Sequence, residues 1–154
     1  MKKYLILENI RSAYNVGAMF RTAEGAGVTK MYLCGYTPTP IDRFGRIQTE
    51  IKKTSLGAST IVPWEHTSDP TAIITQLQKQ NVIVIAVEQS EQSISAKHVL
   101  CPESVAYVMG NEIEGVSDEV LRAADQIMHV PMLGKKESLN VATTAGIVLY
   151  RDII

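Results

Sequence analysis

An unbroken run of β-branched and small apolar residues at positions 82–87 (VIVIAV) is the feature that most restricts how this chain can fold. A strand with one face in water alternates apolar and polar residues, but this run contains no polar position. It therefore predicts a strand that is covered on both faces, as in the middle of a parallel sheet. Residues 105–109 form a second run of this kind, which ends at Gly110.

Shorter apolar segments and amphipathic segments alternate along the rest of the chain. Further strands are predicted at residues 4–7, 30–34, 61–62 and 127–130, and helices at residues 15–26, 47–56, 71–80 and 138–154. Asp69 followed by Pro70 is typical of a helix start, and Ser117 is the expected N-cap of another short helix. This alternation predicts an α/β fold with a parallel sheet and helices on both of its faces. In such folds ligands bind beyond the carboxyl ends of the strands.

Length and composition fit a single domain that spans residues 1–154. The chain is 45% apolar and 20% charged, which is ordinary for a globular protein. The apolar start resembles a signal peptide, but Glu8, Asn9 and Arg11 interrupt it. No segment approaches the roughly 18 consecutive apolar residues that a membrane span needs. We therefore expect a cytoplasmic protein that does not contact a membrane.

The cysteines and histidines do not form a metal-binding pattern. Cys34 and Cys101 stand outside any Cys-x-x-Cys or Cys/His arrangement, and both are expected to be small buried residues. The three histidines share neither a helical face nor the spacing of metal ligands. We expect no metal site.

Charge is distributed unevenly, although the formal net charge is only −1. Residues 1–53 hold nine Lys and Arg against four Asp and Glu, whereas the remaining residues hold six against twelve. The first third of the chain can therefore present a basic face to nucleic acid phosphates. The alternative is that these charges are ordinary solvated side chains with no partner.

Three clusters contain residues suited to chemistry, and the first is residues 15–23. If a helix begins near Asn15, Arg21 lies almost two turns into it among small and apolar residues. A guanidinium in such surroundings needs a carboxylate or phosphate partner. The alternative is a surface arginine paired with Glu24 or Glu8.

The second cluster is residues 110–115, directly after a predicted buried strand. Gly110 and Gly115 allow close approach of the backbone to a ligand. The spacing resembles a P-loop, but Val116 and Ser117 stand where a lysine and a magnesium-binding hydroxyl are required. The acidic residues within this loop favour a cationic ligand over a triphosphate, and a sulfonium is one such cation. The alternative is a simple turn between strand and helix.

The third cluster is residues 131–142, a polar loop that leads into an apolar helix. Ser138 is expected at the helix start, where serine is commonly the N-cap. Asn140 lies two positions further on and needs hydrogen-bond partners if it is buried.

The order and spacing of these clusters resemble the three motifs of the SpoU/TrmH branch of the SPOUT RNA methyltransferases. Residues 15–23 are similar to the first motif, 108–116 to the second and 130–142 to the third. The resemblance implies a SPOUT fold with a deep C-terminal trefoil knot. It also implies a homodimer that transfers a methyl group from S-adenosyl-L-methionine to a ribose 2′-hydroxyl of RNA, with tRNA favoured over rRNA.

The resemblance further implies roles for individual residues. The expected catalytic residues are Arg21, Asn15, Glu112, Ser138 and Asn140. The expected cofactor-binding residues are Val87, Glu88, Gly110, Asn111, Gly115, Val130, Met132 and Leu139. Arg21 of one subunit would reach the cofactor of the other and act as a base or, more plausibly, stabilise the alkoxide that forms on the ribose.

Two other classes of protein are compatible with parts of the pattern. A non-catalytic RNA-binding module would retain the same fold without the activity. A flavodoxin-like nucleotide-binding domain is disfavoured, because the P-loop lysine and a Gly-x-Gly-x-x-Gly after the first strand are both missing.

Overall fold

The computed structural model describes residues 1–154 as one seven-stranded sheet and five α-helices. The strands are β1 (Lys2–Glu8), β2 (Lys30–Cys34), β3 (Trp64–Thr67), β4 (Ile83–Val87), β5 (Ile94–Ser95), β6 (Ser104–Met109) and β7 (Gln126–His129). The helices are α1 (Ala13–Gly25), α2 (Thr49–Ser55), α3 (Pro70–Lys79), α4 (Asp118–Ala123) and α5 (Val141–Tyr150). The strand order is β3-β2-β1-β6-β4-β7-β5, and every neighbouring pair is parallel.

The central strands are covered on both faces, as the run at residues 82–87 predicts. In β4, Val84 and Ile85 are both fully buried and point into different cores. Helices α1, α2 and α5 cover the face that includes Ile85, and α3 and α4 cover the face that includes Val84. Each fully buried aliphatic side chain contributes about 1.5–3 kcal/mol to folding.

Local helix signals explain where several helices begin and end. The Asp69 carboxylate accepts hydrogen bonds from the Thr71 and Ala72 amides, and Pro70 occupies the first turn of α3. Asn81 then turns the chain with a φ of 61°, a conformation that Asn tolerates well. Ser117 caps α4 through a bond from the Val120 amide. These predictions are confirmed.

The predicted strand at residues 61–62 is wrong. The Ile61 and Val62 amides both donate to the carbonyl of Ala58, so these residues close a helical turn. The strand begins only after Pro63, at Trp64. Local hydrogen bonding in this turn outweighs the β-propensity of two β-branched residues.

The last helix is shorter than predicted and starts later. It spans Val141–Tyr150 instead of residues 138–154, and its N-cap is Asn140, not Ser138. The Asn140 side chain accepts from the Ala142 and Thr143 amides, at 2.9 and 3.2 Å.

The C-terminal end of α5 is fixed to the sheet. The ammonium of Lys3, which is only 4% exposed on β1, donates to the Leu149 carbonyl at 2.9 Å. A cation at the carboxyl end of a helix is also favoured by the helix dipole. This contact places α5 beside the start of β1.

The cysteines differ from each other. Cys34 is fully buried, as predicted, and burial raises the pKa of its thiol to about 12. Cys101 is exposed, which corrects the prediction that it is buried; it donates to the Asp152 carboxylate at 2.8 Å. None of the helices combines the length and the apolar character needed to cross a membrane. No cluster of three or more His, Cys, Asp and Glu side chains suits a metal ion.

Candidate active site

The carboxyl ends of β4, β6 and β7 meet at one edge of the sheet, where they border a cavity of about 640 Å³. Volumes of roughly 300–1,000 Å³ are usual for pockets that bind small molecules and cofactors. The cavity lies where the parallel topology predicts a ligand site.

The loop after β6 is a tight turn held by its own side chain. The Asn111 side-chain oxygen accepts from the Ile113 and Glu114 amides, at 2.9 and 2.8 Å. The backbones of Asn111 and Gly115 bond to each other in both directions. A Cβ at Gly110 would overlap the backbone of Gly115, so only glycine fits at the strand end.

The carboxylate of Glu88 joins the loop after β4 to the loop after β6. It accepts from the Gln89 and Val116 amides, each at 2.8 Å. A Cβ at Gly115, whose φ is +73°, would overlap this carboxylate. The glycine therefore serves both the turn and the close approach of Glu88. One function of Glu88 is thus to fix the shape of the cavity.

A chain of side-chain hydrogen bonds brings the three sequence clusters together. The Asn140 amide donates to the Asn15 side-chain oxygen at 3.2 Å, and the Asn15 amide donates to Glu112 at 3.2 Å. Glu112 also accepts from the backbone amides of Arg11 and Ser12, at 2.8 and 2.9 Å. Segments about 100 and 125 residues apart in sequence thereby share one network.

The environment of Glu112 favours its charged form. Burial alone raises the pKa of the carboxyl group, but the amide donors from Arg11, Ser12, Glu112 itself and Asn15 outweigh burial and hold the pKa below 4.5. Glu112 is therefore an ionised hydrogen-bond acceptor near neutral pH.

The cavity is electrostatically negative. Its lining includes the carboxylates of Glu88, Glu112, Glu114 and Glu137, and it includes no lysine or arginine. Such a cavity attracts a cation and repels phosphates. The predicted preference of the loop at residues 110–115 for a cationic ligand thus extends to the whole cavity.

Nearly all the residues predicted to form the site line this one cavity. All eight predicted cofactor-binding residues do so, namely Val87, Glu88, Gly110, Asn111, Gly115, Val130, Met132 and Leu139. Four of the five predicted catalytic residues also do so, namely Asn15, Glu112, Ser138 and Asn140.

Arg21 lies elsewhere, on an exposed face of α1. It lines a second cavity of about 670 Å³, between α1, α2 and α5, together with Lys53 and Tyr150. Arg21 forms no ion pair, and Glu8 instead accepts from the Ser117 amide, so the alternative pairing with Glu8 or Glu24 is wrong. Within one protomer, Arg21 and the acidic cavity are separate.

Several lining residues were not predicted. They include Gln89, Ser90, Glu114, Glu137 and Thr144. The polar run that follows β4 was a usable signal for Gln89 and Ser90, because it begins at a strand end. His129 lines the cavity and bonds through Nδ1 to the Ser93 hydroxyl at 2.8 Å.

Residues 2–150 match the SpoU rRNA Methylase family, and the chain belongs to this family. One relative is the 23S rRNA (guanosine-2′-O-)-methyltransferase RlmB of Neisseria meningitidis, 31% identical over 145 residues, which are 94% of this chain and 55% of that protein. An uncharacterized tRNA/rRNA methyltransferase of Archaeoglobus fulgidus is 34% identical over 95% of this chain and 62% of its own length. The chain spans little more than half the length of the first curated relatives that it matches.

Solved structures share the fold over almost the whole chain. The AdoMet-bound rRNA methyltransferase from Sinorhizobium meliloti matches with a TM-score of 0.86 and 26% identity, over 99% of this chain and 57% of that one. The TrmH/SpoU tRNA modifying enzyme of A. aeolicus matches with a TM-score of 0.84 and 26% identity, over 97% of this chain and 72% of that one. The single parallel α/β sheet is therefore the fold of the TrmH/SpoU proteins.

Proposed function

We propose that this protein transfers a methyl group from S-adenosyl-L-methionine to a ribose 2′-hydroxyl of RNA. The observation that carries the proposal is the acidic cavity at the ends of β4, β6 and β7, which contains four carboxylates and no cationic side chain. The named relatives support it, because they are RNA methyltransferases and one related structure contains AdoMet.

The residues of the cavity fit this cofactor. S-adenosyl-L-methionine supplies a methyl group on a positively charged sulfur, which the transfer makes neutral. Glu88, Glu112 and Glu114 favour a cation in the cavity by charge. Val87, Val130, Met132 and Leu139 offer apolar contacts, and the glycines at 110 and 115 let the backbone approach the ligand closely. Asn111 holds the turn between them.

Asn15, Glu112 and Asn140 have a positioning role in this proposal. Their hydrogen bonds connect α1, the loop after β6 and the start of α5, so the cavity and the helix that carries Arg21 keep a fixed relation. Ser138 lines the cavity but does not cap α5, which leaves its hydroxyl available to the substrate or cofactor. Such preorganised hydrogen-bond donors avoid the cost of reorganisation during the reaction.

Arg21 acts on the partner subunit's cofactor in our proposal, so the active protein is a homodimer. Arg21 does not line the acidic cavity of its own protomer. Apolar groups near it are exposed, with Tyr14 on α1 at 60% and Ile147 on α5 at 41%, as expected for an uncovered interface. Across this interface the guanidinium would stabilise the negative charge that develops on the ribose oxygen.

We also propose that the carboxyl-terminal segment is threaded as a deep trefoil knot. The strand order supports this proposal, because the chain returns after β4 to insert β6 between β1 and β4 and then crosses β4 to form β7. Segments after these strands form the cavity, so the knot would also bring the cofactor-binding loops together. Tracing the backbone in a crystal structure with bound cofactor tests both points.

Methyl transfer to bulk tRNA and bulk rRNA with a labelled methyl donor tests the proposed activity. We expect wild-type protein to label RNA, with tRNA favoured, and Arg21→Ala to lose on the order of 100-fold or more in rate. Arg122→Ala is the matched control, because Arg122 lies on α4 at the opposite face of the sheet. Undiminished activity in Arg21→Ala would remove the proposed role of this residue.

A non-catalytic RNA-binding module remains the alternative function. Calorimetry with S-adenosyl-L-methionine separates the two, because the enzyme must bind the cofactor in the acidic cavity. Binding that is lost in Leu139→Arg, which introduces a cation at the cavity wall, supports the enzyme. No heat of binding to the wild-type protein supports the module.

A further inference from the structure

The loop between β2 and α2 displays an aromatic side chain that packs against no core. Phe44 is 67% exposed and lies at the tip of a short projection, whose base is the antiparallel bridge between Ile41 and Ile47. A single exposed apolar residue is ordinary on a protein surface. The conformation around Phe44 and the charges beside it are not.

Asp42 fixes the shape of this tip. Its Oδ1 accepts from the Phe44 and Arg46 amides, each at 2.9 Å, and its Oδ2 accepts from Arg46 Nε at 2.8 Å. The Asp42 amide donates to the Arg46 carbonyl, and Gly45 adopts a φ of +77° to close the turn. The tip is therefore preorganised without help from the core, and its ring is held in solvent.

Two guanidinium groups lie against the ring. The Arg43 and Arg46 guanidinium carbons are 4.8 and 5.1 Å from the ring centroid, a distance typical of cation–π contacts. Arg43 has no carboxylate partner, whereas Arg46 pairs with Asp42. A flat ring flanked by guanidiniums offers a stacking surface to a base and hydrogen-bond donors to phosphates.

The cations continue from the tip to Arg21. Lys52 and Lys53 are exposed in the last turn of α2, and Lys53 lines the same cavity as Arg21. The basic strip defined by Arg43, Arg46, Lys52 and Lys53 contrasts with the acidic cavity, which no cation lines. A polyanion is therefore attracted along α2 toward Arg21 and away from the cofactor pocket.

We propose that Phe44 stacks on an unpaired base of the RNA substrate, while Arg43 and Arg46 contact the adjoining phosphates. This inference rests on the proposed function in one respect, namely that the substrate is RNA. It adds a residue that selects single-stranded segments beside the methylated nucleotide, since only an unpaired base exposes a face to the ring.

Binding of a fluorescently labelled, mixed-sequence single-stranded RNA, followed by anisotropy, tests the stacking contact. We expect Phe44→Ala to weaken binding about 5- to 100-fold, the range found when one base–aromatic stack is removed. Phe44→Trp should bind within a few-fold of wild type, because it retains a flat ring. Leu100→Ala is the control, since Leu100 is 87% exposed and lies outside the basic strip.

Kinetics on the RNA pool that the wild type labels provide the second measurement. Phe44→Ala should raise the KM for RNA and leave both the kcat at saturating RNA and the affinity for S-adenosyl-L-methionine unchanged. Replacing Arg43 and Arg46 by Gln should reduce the dependence of log Kd on log salt concentration, since each lost phosphate contact lowers that slope by about 1.

The outcomes separate this inference from the proposed function. If the wild type transfers no methyl group but its RNA binding depends on Phe44, the enzyme proposal fails and the stacking site stands. If methyl transfer occurs and Phe44→Ala changes neither RNA binding nor KM, the stacking site is overturned. A Phe44→Ala variant that changes the sedimentation coefficient, with unaltered RNA affinity, would assign the tip to an interface between copies of this chain.

Discussion

Glu112 is the single residue through which the loop after β6 holds α1 in place. Its carboxylate accepts from two backbone amides at the start of α1 and from the Asn15 side chain. An ionised acceptor is needed here, because a neutral amide would turn donors toward donors. The same donors that fix the helix lower the pKa of the carboxyl group.

Glu112→Gln should lower the free energy of unfolding by about 1–2 kcal/mol at neutral pH, a value reduced for the partial exposure of the group. Because the folded pKa lies below 4.5, the contribution of Glu112 is complete above pH 4.5 and is lost as the pH falls through the folded pKa. Urea unfolding of both proteins from neutral pH to below pH 4.5 should show their difference shrinking only at the acid end. Glu114→Gln, whose side chain forms no hydrogen bond, is the control, and a difference that does not change with pH would contradict the assignment.

At the scale of elements, the start of α5 depends on Asn140. This side chain caps the helix and also donates to Asn15, so one residue sets both the end of the cofactor loop and its distance from α1. Ser138 is part of the cavity wall without either bond.

Asn140→Ala should cost about 0.5–2 kcal/mol of stability, the usual range for loss of an N-cap. Ser138→Ala should change the free energy of unfolding by less than about 0.5 kcal/mol, as at other uncritical surface positions. Guanidinium chloride unfolding measures both. A larger loss in Ser138→Ala than in Asn140→Ala would move the helix start back to Ser138.

The contact between α1 and α2 depends on Gly17. A Cβ there would overlap the Thr54 hydroxyl and approach the Ile51 carbonyl to 2.9 Å. The Thr54 hydroxyl itself donates to the Tyr14 carbonyl, across the two helices. This close contact sets Lys53 beside Arg21.

Gly17→Ala should destabilise the protein by about 1–3 kcal/mol, as expected for overpacking. Adding Thr54→Ala removes the worst overlap, so the double variant should lose less than the sum of the two single variants. Thermal unfolding of all four proteins completes the cycle. Strictly additive losses would show that the two residues do not meet.

Local chemistry explains which features the sequence predicts. The strands at 82–87 and 105–109, the Asp69 cap and the turn glycine at 110 each follow from residues next to them in the chain. The choice of Asn140 over Ser138 does not, because both are good N-caps and a bond from Asn140 to Asn15, 125 residues away, ties only Asn140 to α1. Likewise, the helical turn that contains Ile61 depends on a local bond to Ala58, which β-propensity does not reveal.

At the scale of the whole molecule, the separation of Arg21 from the acidic cavity makes the proposed enzyme depend on two subunits. Arg21→Ala and Leu139→Arg should each be inactive alone, since one lacks the guanidinium and the other blocks the cofactor. After mixing and re-equilibration in equal amounts, about a quarter of wild-type activity should return, because half of the dimers have one intact shared site. No recovery, despite exchange of subunits, would place the whole site within one protomer.

The position of the transferred methyl group tests the central claim most directly. RNA labelled by the wild-type protein is digested to the end with alkali, which needs a free 2′-hydroxyl to cleave the chain. We predict that the label appears in alkali-resistant dinucleotides and that Leu139→Arg yields none. Label recovered in mononucleotides would place the methyl group on a base and contradict transfer to the ribose.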